Sequence, residues 1–356
     1  MKNRLILLFL IPISFILTIY AKNNLNFAEY YAIRIYPVLA QIISLITSIF
    51  SVSLAEISII LLIILLIIYL IFTVMQSFRN NSSFYLKKVS INILCFVSII
   101  YFLFVLFCGI NYYRHEFVYY SGLEIKSSSK EELIKLCEKL IEDANRFREE
   151  IKTDENNIVK MFDSNYYETA KRAKISFEKL SEEYNVLAGN YPPPKPVKLS
   201  RLMSHSRITG VFFPFTFEAN VNIDIPAFQI PATMCHELSH LRGFMREDEA
   251  NFISYLACIN SDYDDFAYSG TMLALTYSMN ALYAEDYEAF KKLYDTYSQD
   301  VYNDLKYSSA YWKQFETKIA EISNKVNDTY LKANNQIDGV KSYGRMVDLL
   351  IAYYNF

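Results

Sequence analysis

Two of the four histidines in this sequence, His236 and His240, stand four residues apart in the stretch CHELSHLRGFMREDEANF. Four residues make about one turn of a helix, so both imidazole rings would point the same way and could bind a single metal ion. Glu237 follows the first histidine directly and would lie on the side where a water molecule on that ion sits. The spacing therefore predicts a zinc site in which Glu237 acts as the general base.

The residues around this motif predict two helices that hold it. Pro231 suits the first turn of a helix and Gly243 suits a helix end, so residues 231–241 should form one helix. After the turn, residues 246–258 read REDEANFISYLAC, which is typical of a second helix with acidic residues in its first turn. A third metal ligand is expected from that second helix.

Helical geometry selects the third ligand. Glu247 and Asn251 are four residues apart and share one face, whereas Glu249 points about 160° away from Glu247 at ~100° per residue. We therefore expect Glu247 to bind the metal, with Glu249 as the reserve ligand. Asn251 would accept a ring N–H from one of the histidines and fix its tautomer, as metal sites usually require.

The predicted ligand set indicates what the site would do. Two imidazoles and one carboxylate leave a fourth position open, which is the arrangement of a catalytic zinc site rather than a structural one. Zinc lowers the pKa of a bound water toward ~7, and a nearby carboxylate can take its proton and pass it to a leaving amine. The expected chemistry is hydrolysis of an amide.

Two further side chains have both a functional and an ordinary interpretation. His205, in the stretch MSHSR, is a candidate for stabilising a transition-state oxyanion, and the alternative is a polar surface residue. Cys235 precedes His236, but its side chain projects about 100° away around the helix. A buried structural thiol is therefore the prediction for Cys235.

Composition excludes a nucleic-acid partner and points to a membrane. The chain has 356 residues, is 53% apolar and has a net charge of -3, with Lys and Arg scattered and no basic run. Three uncharged apolar segments, at residues 5–21, 57–78 and 89–113, are each long enough to cross ~30 Å of hydrocarbon. The lipid bilayer is therefore an expected partner.

A further apolar segment, residues 35–53, is predicted to lie in the membrane interface. Gln41, Ser44 and Ser48 fall on one face of it at helical spacing. With three spans, the basic residues of the N-terminus and of the connector between the second and third spans all lie in the cytoplasm. The predicted organisation is a membrane domain at residues 1–114 and an extracytoplasmic domain at residues 115–356 in a cell membrane.

The second domain reads as mainly α with a small β-sheet. Ser129 and Glu132 form a capping box at the start of one helix, and residues 165–184 predict another. Residues 191–196, YPPPKP, predict a stiff extended connector, and residues 198–225 predict two or three strands. Helices are expected to follow to the end of the chain, with turn signals that include Gly270 and Gly339.

The metal motif, followed by Glu247 and Asn251 in the pattern E-x-x-A-N, resembles the gluzincin metallopeptidases, whose second motif is a glutamate with Asp or Asn four residues later. The spacer differs, because only residues 241–246 separate the two motifs and gluzincins usually have a longer segment there. The resemblance implies an α+β metallopeptidase domain with zinc as cofactor.

Four blocks in order give a second resemblance, which covers most of the chain: GINYYRHEF, TGVFFPFTFEANVN, HELSHLRGFMREDEANF and YGRMVDLLIAYY. They are similar to a bacterial membrane family catalogued as a domain of unknown function, number 3810 in its series. That resemblance implies a membrane-anchored protein and supplies no substrate.

Two classes of function follow from these observations. The first is a membrane-anchored zinc metallopeptidase that hydrolyses peptides or envelope proteins, with residues 210–224 supplying an edge strand for the substrate or packing against the helices. The second is a non-catalytic membrane scaffold or sensor with a structural or vestigial zinc site. The acid at Glu237 favours the enzyme, because a purely structural site does not need one.

Overall fold

In the computed structural model the described residues are 2–80, 83–126, 128–161, 165–334, 336 and 344–356. The chain is mainly helical, with one three-stranded sheet. The predicted turn at Gly339 lies outside the described residues. The N-terminal helices are α1 (Lys2–Leu5), α2 (Leu10–Asn23), α3 (Leu25–Tyr30), α4 (Tyr36–Thr47), α5 (Leu54–Arg79) and α6 (Phe84–Phe107), with a 3₁₀ turn before α2 and a π turn before α4.

Four helical stretches in the described residues are long and apolar enough to cross a membrane, which indicates membrane association. They are Ile6–Asn23, Leu25–Thr47, Leu54–Arg79 and Phe84–Phe107. The second of them contains most of the segment predicted to be interfacial. The predicted span 89–113 extends past the end of the observed helix, because α6 ends at Phe107. Residues 109–113 form a 3₁₀ turn that is mostly buried.

Hydrogen bonds define the directions of three of these helices. Cys95 donates to the carbonyl of Arg4, and Ser98 donates to the carbonyl of Leu7 at 2.6 Å. Because both residue numbers increase together, α2 runs parallel to α6. The α5 helix packs on α6 in the opposite direction, and Asn92 donates to the Tyr69 hydroxyl between them. These directions place the C-terminal ends of α2 and α6 and the N-terminal end of α5 together, at one end of the group of three helices.

The α4 helix lies against the second half of the chain. Gln41 accepts a hydrogen bond from the amide of Asn190, and Thr47 donates to the carbonyl of Thr216 at 3.1 Å. On the opposite face of the helix, the apolar side chains stay exposed: Val38, Ile42, Leu45 and Ile46. The polar face seen in the sequence is thus the face that contacts the protein.

The second half of the chain contains eleven helices within its described residues: α7 (Phe117–Ser121), α8 (Lys130–Glu149), α9 (Tyr166–Glu183), α10 (Ser200–His205), α11 (Ile230–Leu241), α12 (Glu247–Ile259), α13 (Asp264–Glu285), α14 (Tyr287–Tyr294), α15 (Gln299–Lys313), α16 (Lys318–Ala333) and α17 (Gly344–Tyr354). The capping box of Ser129 and Glu132 is present at α8, and the Asn165 side chain caps α9. These starts are local signals, which is why the sequence predicts them.

The sheet has the order β1-β3-β2, with β1 (Lys195–Val197) parallel and β2 (Gly210–Phe213) antiparallel to β3 (Glu218–Asn222). Two of the strands fall where strands are predicted. The third, β1, lies earlier, in the segment predicted to be only an extended connector, and α10 lies where strands were expected. Pro196 is tolerated in β1 because that strand is at an edge of the sheet.

Gly270 corrects another expectation. It is predicted as a turn residue, but it lies inside α13. A Cβ atom on Gly270 would lie 2.5 Å from the Cβ of Cys258, which is on α12. The glycine is therefore required for close packing of two helices, and a sequence pattern cannot distinguish this use from a turn.

Candidate metal centre

The α11 helix places His236 and His240 one turn apart on the same side. Their Nε2 atoms are 3.0 Å apart and their rings are perpendicular. The helix ends at Leu241, and Gly243 then takes a left-handed φ of 88° that most residues avoid. This tight turn lets the chain reverse within a few residues, so that α12 begins beside the two histidines.

Glu247 is the first residue of α12 and reaches both histidines. Its Oε2 atom lies 3.2 Å from Nε2 of His236, and its Oε1 atom lies 3.7 Å from Nε2 of His240. One ligand atom from each of the three residues lies within 4.8 Å of the others. Within the described part of the chain, no other group of three His, Cys, Asp or Glu side chains is arranged in this way.

The other ring nitrogen of each histidine faces an oxygen atom. Nδ1 of His236 is 2.8 Å from Oδ1 of Asn251, and Nδ1 of His240 is 2.8 Å from the carbonyl oxygen of Phe244. An oxygen acceptor at Nδ1 holds the ring proton there and leaves a lone pair on Nε2. Two lone pairs and a carboxylate then face one another, which is a donor set that fits a metal cation.

The three side chains of the cluster change one another's pKa values. Burial lowers the pKa of His236, but the adjacent Glu247 carboxylate outweighs this and raises it to about 9. Burial, together with the charge of His236, lowers the pKa of His240 to about 4. Burial raises the pKa of Glu247, but the hydrogen bond with His236 outweighs it and the net shift is downward.

Glu237 is buried beside strand β2. Burial raises its pKa to about 8, and a backbone hydrogen bond from Phe212 opposes the rise. Its Oε2 atom has no hydrogen-bond partner among the described residues, which is a costly arrangement for a buried oxygen. A Cβ atom on Gly210 would lie 2.5 Å from its Oε1 and 2.7 Å from its Cγ, so a larger residue at that position of β2 would force the Glu237 side chain to move.

Glu249, the reserve ligand, has a different set of partners. Its Oε1 accepts a hydrogen bond from the amide of Phe117 at 2.8 Å and lies 3.5 Å from Nη1 of Arg246. Burial raises the pKa of this carboxyl to about 7. The structure therefore joins Glu249 to the start of α7 and joins Glu247 to the histidines.

The remaining predicted side chains take ordinary positions. The ring of His205, at the end of α10, packs edge-on against Phe315 with the ring centres 5.0 Å apart, and this contact gives no support to a role at an oxyanion. Cys235 is a buried free thiol, as are the other four cysteines.

Two tyrosines at the site were missed by the sequence reasoning. Asn251 donates to the hydroxyl of Tyr277 on α13 at 3.4 Å, and burial, with the negative charge of Glu247, raises the pKa of Tyr277. Tyr36 of α4 donates to the carbonyl oxygen of His240 at 3.2 Å. With 30 tyrosines in the chain, nothing in the sequence singles out these two.

Residues 31–351 match the model of a protein family described as "Protein of unknown function (DUF3810)". This match spans most of the sequence, and the chain belongs to that family. No curated protein and no solved structure matches the chain.

The first prediction separates the two carboxylates. Glu247→Gln should weaken zinc binding by at least about tenfold, because it removes the charge that faces both histidines. Substituting a residue that only hydrogen-bonds to a metal ligand already lowers metal affinity by about 10- to 100-fold. Glu249→Gln should keep zinc, because its carboxyl contacts α7. Zinc is measured by elemental analysis of full-length protein purified in detergent, with His236→Ala as a control that should lose the metal. If the two glutamate variants exchanged their behaviour, Glu249 would be the ligand.

The second prediction concerns Gly210. Gly210→Ala should lower the free energy of unfolding by ~1–3 kcal/mol, because the new methyl group collides with the Glu237 carboxyl in a packed region. Most of that cost should vanish in a Glu237→Ala background, where the colliding atoms are absent. Thermal unfolding of the two single variants and the double variant measures this coupling, with Val211→Ala, at the exposed neighbouring position, as control. Additive costs would contradict the contact.

Proposed function

We propose that this protein is a membrane-anchored zinc metallopeptidase that hydrolyses peptide bonds. The observation that carries the proposal is the arrangement of His236, His240 and Glu247, whose ligand atoms lie within 4.8 Å of one another, with an oxygen atom at Nδ1 of each ring and Nε2 of each ring on the side of the carboxylate. Zinc would be held by these three side chains. When bound, it would supply Lewis-acid chemistry that acidifies water and stabilises developing negative charge.

Glu237 would act as the general base. It follows His236 on α11, is buried, and has an oxygen atom without a partner among the described residues. Its pKa, raised to about 8 by burial, is in the range in which a carboxyl group can take up a proton and release it again near neutral pH. Glu237 would accept a proton from water and deliver it to the amine that leaves.

Strand β2 would align the substrate. It is an edge strand, since β3 pairs with one side of it and no further strand among the described residues pairs with the other. An extended peptide could add to that free edge through backbone hydrogen bonds. Gly210 and Phe212 of this strand both contact Glu237, so a peptide bound along β2 would lie beside the proposed base.

Asn251 and Tyr277 would position the ligands. Asn251 fixes the His236 ring and in turn donates to the Tyr277 hydroxyl, which lies near the charge of Glu247. The alternative function, a scaffold or sensor with a structural or vestigial metal site, requires the three ligands and their supports. It gives no role to the buried carboxyl of Glu237, whose Oε2 has no partner among the described residues.

We also propose three membrane spans, α2, α5 and α6, with α4 in the interface. The ends of α2 and α6 and the start of α5 lie at the same end of the three helices. The segment between α2 and α5, which contains α4, therefore begins and ends on the same side of the membrane. Hydrogen bonds from Tyr36 and Thr47 attach α4 to the second domain on that side. With the basic residues in the cytoplasm, the domain with the metal centre would be extracytoplasmic.

The third prediction tests catalysis. Glu237→Gln should keep zinc and thermal stability near those of wild type, because metal binding does not pass through this side chain. Hydrolysis of a library of fluorogenic peptides should fall by ~10²–10⁴-fold, because an amide cannot take up the proton. The scaffold alternative expects no peptidase activity in either protein, and it expects the variant to rescue any phenotype of gene deletion as well as wild type does. Rescue at normal expression would therefore count against the enzyme.

The fourth prediction tests topology. A reporter that is active only outside the cytoplasm, fused after Phe356, should be active, whereas a reporter that needs the cytoplasm should be inactive. The matched control is the same pair of reporters fused after Arg79, at the end of α5, where the opposite result is expected. Cytoplasmic activity after Phe356 would mean that Leu25–Thr47 crosses the membrane as well.

A further inference from the structure

Helix α16 carries an apolar stripe that is exposed among the described residues. The side chains of Ile319, Ile322 and Val326 are 57%, 62% and 63% exposed, and that of Tyr330, further along the same face, is 38% exposed. The spacings of three and four residues place them on one side of the helix. The helix attaches to the protein through a different face, where Ala320 and Leu331 are buried.

This stripe begins next to a membrane helix. The ring of Tyr330 packs on Phe104, with ring centres 6.2 Å apart, and its hydroxyl is 3.0 Å from that of Tyr112. Phe104 is in the last turn of α6, inside the apolar stretch Phe84–Phe107. The exposed stripe is therefore continuous with a surface that has lipid as its expected neighbour.

Lysines accompany the stripe along one side. Lys318, Lys325 and Lys332 recur every seven residues, so they form a row next to the apolar residues, and all three are exposed. Asp328 and Glu321 lie further around the helix, and Asp328 forms an ion pair with Lys332 at 2.6 Å. Lysine stems can cover apolar surface while their ammonium groups reach phosphate, and basic residues near a membrane are attracted to anionic lipids.

We propose that α16 lies in the surface of the bilayer, with the stripe in the lipid and the lysine row at anionic headgroups. Apolar side chains on one face and lysines beside them are typical of such interfacial helices. The proposal depends on membrane anchoring and not on peptidase activity. It also connects the bilayer with the metal centre, because Gln336, just after α16, accepts a hydrogen bond from the amide of Glu247 at 3.3 Å.

Tryptophan fluorescence of the full chain in vesicles tests this docking. In a Trp312→Phe background, which removes the only native tryptophan, Val326→Trp places the probe in the stripe. Asn324→Trp places it about 200° away by helical rotation, at an exposed position on the side of the helix that carries Ala320 and Leu331. In vesicles of phosphatidylcholine and phosphatidylglycerol, the Val326→Trp emission should shift to the blue, lose intensity when acyl chains are brominated, and resist acrylamide. The Asn324→Trp emission should respond to acrylamide and not to bromine.

Equal responses at the two positions would overturn the proposal. Protection of the Val326→Trp probe from acrylamide without quenching by brominated lipid would also overturn it and would indicate a second copy of the chain, particularly if the protection disappeared at low protein-to-lipid ratio. Adding Lys325→Glu should weaken the bromine quenching in vesicles with phosphatidylglycerol more than in phosphatidylcholine alone. An equal effect in both lipids would contradict the proposed contact between the lysine row and anionic headgroups. Thermal unfolding verifies that each variant is folded.

Discussion

Two imidazole nitrogens and a carboxylate meet in a mostly buried space, and much of the surrounding structure serves to hold them there. His236 and His240 cannot turn away, because Asn251 and the carbonyl of Phe244 hold their Nδ1 atoms. Three groups that donate electron pairs repel one another unless a cation or a proton lies between them. The close turn at Gly243 brings Glu247 to the two histidines within a few residues of the end of α11.

The membrane-associated helices and the metal centre form one continuous structure. The hydroxyl of Tyr36 satisfies carbonyl groups at the end of α11, where a helix leaves acceptors without partners. At the end of α6, Cys108 contacts Met245, two residues before Glu247. Glu218 of the central strand accepts hydrogen bonds from the first amides of α5. Movement of the N-terminal helices would therefore be transmitted to α11 and α12.

Features that depend on neighbouring residues, such as helix ends, could be predicted from the sequence. Features that depend on contacts between distant segments could not. Pro231 and Gly243 predict the bounds of α11, and the capping box predicts the start of α8, because these signals act within a few residues. Gly270 was misread, since its reason lies on another helix, at Cys258. Strand β1 was missed because a three-residue strand with a proline has no pattern of its own and depends on pairing with β3. Tyr36 and Tyr277 were missed because only the fold brings them to the site.

Glu247 and Glu249 show how one short helix start can perform two tasks. The two carboxyls are separated by one residue and turn to opposite sides, so one faces the histidines and the other faces Phe117. Arg246 contacts both Glu249 and Glu116, and this pair of contacts ties the segment that follows α6 to the first turn of α12. The position of Glu247 is thereby set from the membrane side. A metal ligand held in this way would place the site's chemistry close to the bilayer, whatever its substrate.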